Sequence, residues 1–177
     1  MASQNGDVGQ VERYLNSSSQ HSHQTLMAAL MVACQNGHSD VVKLIIQDGT
    51  SVDLNNKDQP ALIVASQNGH SEVVDILISH GAQVNLQDNV GMSSLMIASQ
   101  NGYHDITIML LLQHGVQINL RNTDGWSAVM LASWNCHIKT VETLLKYGAQ
   151  IDRDFVAKLS SARHLEVIDL LNKQLGT

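Results

Sequence analysis

A chain of 177 residues with 44% hydrophobic residues can bury a sizeable core, and because only 3% of the residues are aromatic, that core must be mainly aliphatic. The formal net charge is -6 at pH 7 without any cluster of Lys or Arg, and an acidic surface repels phosphate, which argues against nucleic-acid binding. No apolar run approaches the roughly 20 residues of a membrane-spanning helix, and no signal-peptide pattern follows Met1. We therefore expect a cytoplasmic protein, with a nuclear location as the alternative, and no membrane partner.

A short segment recurs along the chain and sets its organisation. Ala65–His70 has the sequence Ala-Ser-Gln-Asn-Gly-His, and related segments begin at Ala33, Ala98 and Ala132, with a shortened copy at Ala2. Successive copies are 31, 32, 33 and 34 residues apart. Self-similarity at a nearly fixed period of this size predicts stacked structural repeats instead of one globular core.

The first two repeats are each predicted to contribute two helices. In the first, which is truncated, residues 1–6 supply only the end of an inner helix, and Asp7–Leu15 forms the outer helix. In the second, an inner helix near Leu26–Gln35 precedes an outer helix near Ser39–Gln47. The Asn-Gly pair between these helices indicates a helix end, because glycine adopts the left-handed conformation without a steric cost, and Ser39 is predicted to cap the outer helix.

The later repeats depart from this spacing at two places. From the first alanine of the segment to the next turn glycine is 16 residues in the second, third and fifth repeats, but 17 from Ala98 to Gly115. The extra residue, placed within Ile106–His114, predicts a longer outer helix or a π-bulge, with a longer loop as the alternative. After the fifth repeat a connection is almost deleted, and Asp154 is predicted to cap a short helix in the C-terminal cap.

The sequence that follows each segment resembles the ankyrin repeat. Ser71–Leu77 reads Ser-Glu-Val-Val-Asp-Ile-Leu and is followed by Gly81-Ala82, and the likeness returns in phase over nearly the whole chain. It implies an all-α fold, an ankyrin-repeat α-solenoid of helix-turn-helix units joined by short β-hairpin-like fingers. The single domain then divides into a truncated N-terminal repeat (1–20), four repeats (21–49, 50–81, 82–115 and 116–148) and a C-terminal capping repeat (149–177).

One position of the inner helix departs from the family pattern. The histidine of the ankyrin Thr-Pro-Leu-His stretch is replaced by Met31, Ile63, Met96 and Met130. In the family that histidine joins a polar network. Here we predict buried apolar side chains at the junctions between repeats.

The chain offers no set of residues that predicts catalysis or metal binding. His38, His70, His137 and His164 share one register, but repeats stacked about 10 Å apart cannot share a zinc ion with bonds near 2 Å, so we expect hydrogen bonds to the backbone. Cys34 and Cys136 lie in different repeats, which predicts free thiols in a reducing compartment. No activated nucleophile and no phosphate-binding or cofactor motif can be assembled, so the sequence predicts a protein that is not an enzyme and needs no cofactor.

The resemblance implies a monomeric protein–protein interaction scaffold that binds a partner through its concave groove and finger tips. The alternative is a structural spacer or a synthetic repeat scaffold without a dedicated partner. Contiguous apolar or aromatic exposure on the groove would favour binding, whereas a groove lined uniformly by Gln and Asn would favour the spacer.

The two tryptophans of the chain are the strongest candidates for partner contact. Trp126 follows the finger glycine Gly125, and Trp134 takes the place that Gln35, Gln67 and Gln100 hold in other repeats. Tryptophan is enriched at interface hot spots, although either ring could instead pack within the protein. The candidate patch is completed by Asn89, Val90, Met92, Gln100, Asn101, Thr123, Asp124 and Gln67.

Two asparagines occupy a turn position that is a candidate for enzymatic modification. Asn85 and Asn119 stand where asparagine hydroxylases modify similar ankyrin proteins. The alternative is that Asn or Asp in this slot stabilises the turn by bonding its own backbone, which Asp53 and Asp152 in the equivalent slots favour.

Overall fold

The computed structural model describes residues 2–17, 23–53, 59–159 and 164–176. The helices in these residues are α1 (Ala2–Asn5), α2 (Val8–Ser17), α3 (His23–Asn36), α4 (Ser39–Gln47), α5 (Ala61–Gln67), α6 (Ser71–Ser79), α7 (Ser94–Gln100), α8 (His104–Leu111), α9 (Ala128–Trp134), α10 (Ile138–Lys146), α11 (Arg153–Lys158) and α12 (Leu165–Leu175). Backbone contacts divide the chain into unit 1, residues 1–89, and unit 2, residues 90–177. The boundaries of the individual repeats stay predictions.

Each unit consists of two rows of helices. In unit 1 the inner helices α1, α3 and α5 pack side by side, the outer helices α2, α4 and α6 form the second row, and each inner helix contacts its own outer helix. In unit 2 the inner helices α7 and α9 adjoin each other, and the outer helices α8, α10 and α12 follow in the same order. The predicted all-α fold of stacked helix-turn-helix units is confirmed within each unit.

The recurring alanine is fully buried in the inner helices α3, α5, α7 and α9. Ala33, Ala65, Ala98 and Ala132 are all 0% exposed, and Leu159, which occupies the same register in the C-terminal repeat, is also fully buried. A methyl group keeps helix axes close together, and a larger side chain here would overpack the interior. The repeat period is therefore a packing requirement.

The residue that replaces the consensus histidine is buried in three of the four inner helices that carry it. Ile63, Met96 and Met130 are at most 5% exposed, as predicted. Met31 is half-buried and lines a groove with Gln35 and Gln59, so the prediction that it is buried is wrong.

The outer helices begin one residue earlier than a serine cap would require. Helix α4 starts with Ser39 itself, and the residue before it, His38, occupies the N-cap position without a capping hydrogen bond from its side chain. Helix α6 repeats this arrangement with Ser71 and His70. The predicted serine cap at Ser39 is therefore wrong, and the histidine at the N-cap makes longer-range contacts instead.

The extra residue between Ala98 and Gly115 lies in a loop. Helix α8 has 8 residues, whereas α4, α6 and α10 have 9, and three residues, Leu112 to His114, separate α8 from Gly115. The Leu112 amide still donates to the Ile108 carbonyl at 3.0 Å, as in an ordinary α-helix. The predicted longer helix or π-bulge is therefore wrong, and the loop alternative is confirmed.

A physical reason favours the loop for this insertion. Helix α8 buries Ile106, Thr107, Leu110 and Leu111. An extra residue inside the helix would rotate part of this face by about 100° and expose it. The loop leaves the buried face intact, and its cost is that Leu112 is 65% exposed.

The C-terminal repeat opens with a capped helix. The Asp152 carboxylate accepts a hydrogen bond of 2.7 Å from the Phe155 amide, which makes Asp152 the N-cap of α11. Asp154 lies in the first turn of that helix and is exposed. The prediction of Asp154 as the cap is wrong by two residues, because Asp152, with its extended backbone and its bond to the Phe155 amide, already takes the N-cap position.

The turn after each inner helix requires a left-handed residue. Gly37, Gly69 and Gly102 have φ values of 73°, 75° and 71°, and Cys136 adopts φ 58° in the same register. Because a side chain in this conformation costs roughly 1–2 kcal/mol, Cys136→Gly is expected to stabilise the protein by about 1 kcal/mol. Thermal unfolding should show Tm raised by about 2–4 °C. Cys136→Ala is the control: it keeps the strain, and an equal rise in Tm with alanine would contradict the strain argument.

Within the described residues, the longest helix is α3 with 14 residues, and no helix has the length and apolarity needed to cross a bilayer.

Candidate functional site: an aromatic cleft in unit 2

A tight turn at a finger tip positions Trp126. The side-chain carbonyl of Asn122 accepts hydrogen bonds from the amides of Trp126 at 2.8 Å and Asp124 at 3.1 Å. The Asn122 amide in turn donates to the Trp126 carbonyl at 3.0 Å. Arg121 closes the turn by donating to the Gly125 carbonyl at 2.7 Å. Trp126 therefore sits on a short, fully bonded loop just before α9.

Three aromatic rings meet at this position. Trp134, the last residue of α9, lies with its ring centroid 5.6 Å from that of Trp126, at an interplanar angle of 82°. Phe155 of α11 lies 5.8 Å from Trp126 at 85°. Edge-to-face pairs of this kind contribute about 0.5–1.5 kcal/mol each beyond their buried area. The rings therefore form a fixed cluster in which Trp126 touches both of the others.

His164 holds Trp134 from a further direction. Its ring centroid is 5.5 Å from that of Trp134 at a tilt of 32°, and its Nε2 donates to the Trp134 carbonyl at 3.0 Å. The indole is thus oriented by its neighbours and yet remains 49% exposed. A large, rigid and half-exposed aromatic side chain is typical of an interface anchor.

The rings and α11 border an open cleft of about 500 Å³. Met130 adds a further apolar side chain, and the cleft is completed by five charged residues: Arg121, Asp124, Asp152, Asp154 and Lys158. An apolar centre with a polar rim is the usual composition of a protein-binding surface.

The charges of the rim are only partly paired. Arg121 Nη2 lies 3.7 Å from Asp152 Oδ2, with both side chains about half exposed, so this ion pair contributes little stability. In the part of the chain that the structure describes, the carboxylates of Asp124 and Asp154 have no hydrogen bond or ion pair. The cleft therefore carries negative charge that remains available to a ligand.

The structure gathers only part of the predicted patch. Trp126, Trp134 and Asp124 line the cleft. Thr123 belongs to the contact between fingers, since its amide and hydroxyl both donate to the Val90 carbonyl, at 3.1 and 3.0 Å.

The remaining candidates lie outside the cleft. Met92 is half-buried, and its sulfur accepts a hydrogen bond of 3.5 Å from the side-chain nitrogen Nδ2 of Asn122. Gln100 and Asn101 are exposed at the end of α7, and Asn89 and Gln67 belong to unit 1. Three of the predicted residues thus line the cleft, and contact of the others with a partner stays a prediction.

Phe155 is the residue that the sequence prediction missed. Phe155 lies four residues before Leu159, and the residues four before the recurring alanine are small in the other repeats: Ala29, Ala61, Ser94 and Ala128. This single replacement of a small residue by the only phenylalanine was a readable signal. Its meaning depends on the nearly deleted connection before α11, where the ring packs against Trp126.

Unit 1 presents a different surface at the equivalent helix ends. A groove of about 340 Å³ is lined by Gln35, Gln59, Gln67 and Asn68 together with Met31, Val32 and Val64. Gln35 and Gln67 are exposed. The aromatic lining belongs to unit 2, while the groove of unit 1 is rich in amide side chains.

The loop histidines bond the backbone, as predicted, and the carbonyls that accept these bonds lie in the preceding repeat. His70 Nε2 donates to the Gln35 carbonyl and His137 Nε2 to the Gln100 carbonyl, both at 3.0 Å, and His164 repeats this bond with Trp134. Among the described residues no three His, Cys, Asp or Glu side chains group closely enough to hold a metal ion.

The Asn and Asp side chains in the slot of Asn85 and Asn119 include two that bond the following repeat, which the sequence did not predict. Asn119 accepts a hydrogen bond of 2.7 Å from the Gln150 amide, and Asp53 accepts one of 3.0 Å from the Gln83 amide. These partners lie in the following repeat, so the expectation that the side chain bonds its own turn is wrong for both. Asp152 does bond its own segment, and Asn85 is half-buried. Hydroxylation of Asn85 or Asn119 stays a prediction.

The cysteines are free thiols, as predicted. Cys34 is fully buried, and desolvation raises its pKa to about 12, which keeps it protonated and unreactive near neutral pH. It therefore does not provide a nucleophile.

Comparison with known families agrees with this geometry. A family model for ankyrin repeats (3 copies) matches residues 1–88 and 83–154. No curated protein matches the chain significantly. The family match covers most of the sequence, and the chain belongs to the ankyrin-repeat family.

Proposed function

We propose that this protein is a non-catalytic interaction module that binds a protein partner through the aromatic cleft of unit 2. Ankyrin repeats are generally protein-interaction modules, which makes binding the leading class of function. The observation that carries the proposal is Trp134, which is half-exposed and is held in place by Trp126 and His164. An oriented aromatic ring loses little conformational entropy when a partner covers it.

The contrast between the two units argues against a spacer. A spacer needs solubility at these helix ends, which the exposed glutamines of unit 1 provide. At the same register, unit 2 exposes a tryptophan beside a cleft, with a solubility cost that a spacer would have no reason to carry. We infer that unit 2 supplies the central contacts of the interface.

To test the proposal, peptides that bind the full chain are first selected from a random displayed library. Trp134→Gln, which installs the residue of the other repeats, is expected to weaken the selected peptides by about 2 kcal/mol or more, roughly thirtyfold in Kd. Its cost in unfolding free energy should be about 1 kcal/mol or less, because the ring is half-exposed and loses only aromatic contacts. Calorimetry and thermal unfolding measure the two effects.

A matched control is Tyr147→Gln. Tyr147 is an exposed aromatic residue of unit 2 at the end of α10, and it is not part of the cleft. This variant should bind the peptides as the wild type does. Equal affinity of the Trp134→Gln variant, or a large fall in its Tm, would make Trp134 a packing residue and would refute the proposal.

A further inference from the structure

We propose that the cleft receives an arginine side chain of the partner, with its guanidinium group stacked on the tryptophans and its N–H groups bonded to Asp124 and Asp154. This inference rests on the proposed function and specifies the chemistry of the ligand. It is carried by three features of the cleft: the aromatic surface, the unpaired carboxylates and the open shape.

The aromatic surface suits a delocalised cation. The face of an indole ring has negative electrostatic potential, and tryptophan attracts cations more strongly than the other aromatic residues do. Trp126 and Trp134 stand at 82° to each other with centroids 5.6 Å apart, so their rings form two sides of a corner. A planar group entering this corner can lie against one ring while its edge faces the other.

The charges of the cleft favour a positive ligand. Of its two cations, Arg121 already donates to the Gly125 carbonyl and lies beside Asp152. Asp124 and Asp154 are both exposed, and no described residue bonds their carboxylates. A guanidinium group can satisfy such carboxylates because it carries five N–H donors in a planar fork.

The open shape of the cleft favours the guanidinium group of arginine over an ammonium group. Phe155 is only 6% exposed, so the tryptophans provide most of the accessible aromatic surface. A strongly hydrated ammonium group gains most when aromatic walls surround it, whereas the more weakly hydrated guanidinium group can stack on one open face. An acidic or purely apolar partner segment would leave Asp124 and Asp154 without a counter-charge.

Lys158 provides a further test of the charge of the ligand, because it is a cation of the cleft itself. It lies four residues after Asp154 on α11, on the same face of the helix. Its charge opposes the entry of a second cation and weakens the field of Asp154. Removal of this charge should therefore strengthen arginine binding, while an acidic ligand would respond in the opposite direction.

The direct test is a titration of the full chain with Nα-acetyl-arginine amide, followed by tryptophan fluorescence. The chain has two tryptophans, and both line the cleft, so emission reports on this site alone. The expected result is a saturable change with Kd in the range of about 1–10 mM. Nα-acetyl-citrulline amide, the uncharged isostere, should bind about tenfold more weakly.

Variants of the rim test the assigned partners of the guanidinium group. Asp154→Asn is expected to weaken the arginine probe about threefold, and the double variant Asp124→Asn/Asp154→Asn about tenfold. Lys158→Ala should strengthen it about twofold. Glu166→Gln is the matched control, since Glu166 is an exposed acid in the first turn of α12 outside the cleft and should leave the Kd unchanged.

Each contrary outcome overturns the arginine assignment. Equal binding of citrulline amide, no saturable response below about 50 mM, or weaker binding after Lys158→Ala would each do so. The outcome for the proposed function is read separately from the displayed peptides. Peptides that depend on Trp134 but carry no enriched arginine would leave the interaction module standing and remove arginine as its ligand. If no peptide depends on Trp134, the proposed function falls, whatever the small probe shows.

Discussion

Met96→Ala is expected to lower the free energy of unfolding by about 2–5 kcal/mol, because it removes most of a buried side chain and leaves a cavity. Met96 is 1% exposed and lies in α7, which packs against both α8 and α9. Its backbone amide also donates to the N-cap hydroxyl of Ser93 at 3.3 Å, which fixes the helix start and limits local collapse. Urea unfolding followed by circular dichroism measures the change as a lower midpoint.

The same register offers a matched control for this substitution. Met31→Ala removes the same atoms from α3, where the methionine is half-buried and borders an open groove. Its cost should be about 1 kcal/mol, since less apolar area is lost and solvent can enter the space. If Met96→Ala costs no more than Met31→Ala, burial at this register does not stabilise the stack.

The helices were predictable because their signals are local and repeated. The fully buried alanine, the left-handed glycine and the apolar face of each outer helix recur at one spacing, so each copy supports the others. The bounds of α4, Ser39–Gln47, agree with the outer helix expected near these residues. The fold could be predicted from the sequence because the local conformational preferences agree with the tertiary packing.

Several of the errors are shifts of one or two residues, and these depend on contacts beyond the local sequence. Ser39 is a good capping residue, yet the N-cap position belongs to His38. In the same position, His70 and His137 bond a carbonyl of the previous repeat, a partner that no local pattern displays. The extra residue near α8 likewise went into a loop because the buried face of the helix could not be rotated.

The candidate site was predictable where one repeat breaks the pattern of the others. Trp134 in a glutamine register and Trp126 at a finger tip were visible as exceptions. Phe155, Asp152 and Asp154 were not assigned to the candidate site, because they line the cleft only through the packing of α11 beside Trp126, which the repeat pattern does not display. The unusual Phe155 was visible in the sequence, but the neighbour that its ring contacts was not.

Gly102→Ala is expected to cost about 3 kcal/mol, for two reasons that add. The residue has φ 71°, where an L side chain costs roughly 1–2 kcal/mol. In addition, an added Cβ would lie 2.5 Å from His137 Nδ1 and 2.6 Å from Cε1, closer than real contacts allow. The ring must then move, and its 3.0 Å hydrogen bond to the Gln100 carbonyl is lost at a cost of about 1 kcal/mol.

Gly115→Ala separates the two causes. Gly115 has φ 77°, and an added Cβ there meets no atom within 4 Å, so this variant should show the backbone strain alone. The difference between the two variants in urea unfolding gives the contribution of the histidine contact. In a second step, Gly102→Ala combined with His137→Ala should cost less than the sum of the single variants, because the clash disappears with the ring. Equal costs at Gly102 and Gly115, together with strict additivity of the pair, would show that the glycine is needed only for its φ angle. The expected inequality would instead make the glycine and the histidine one device, in which the absence of a side chain in one repeat admits the ring that ties the next repeat to it.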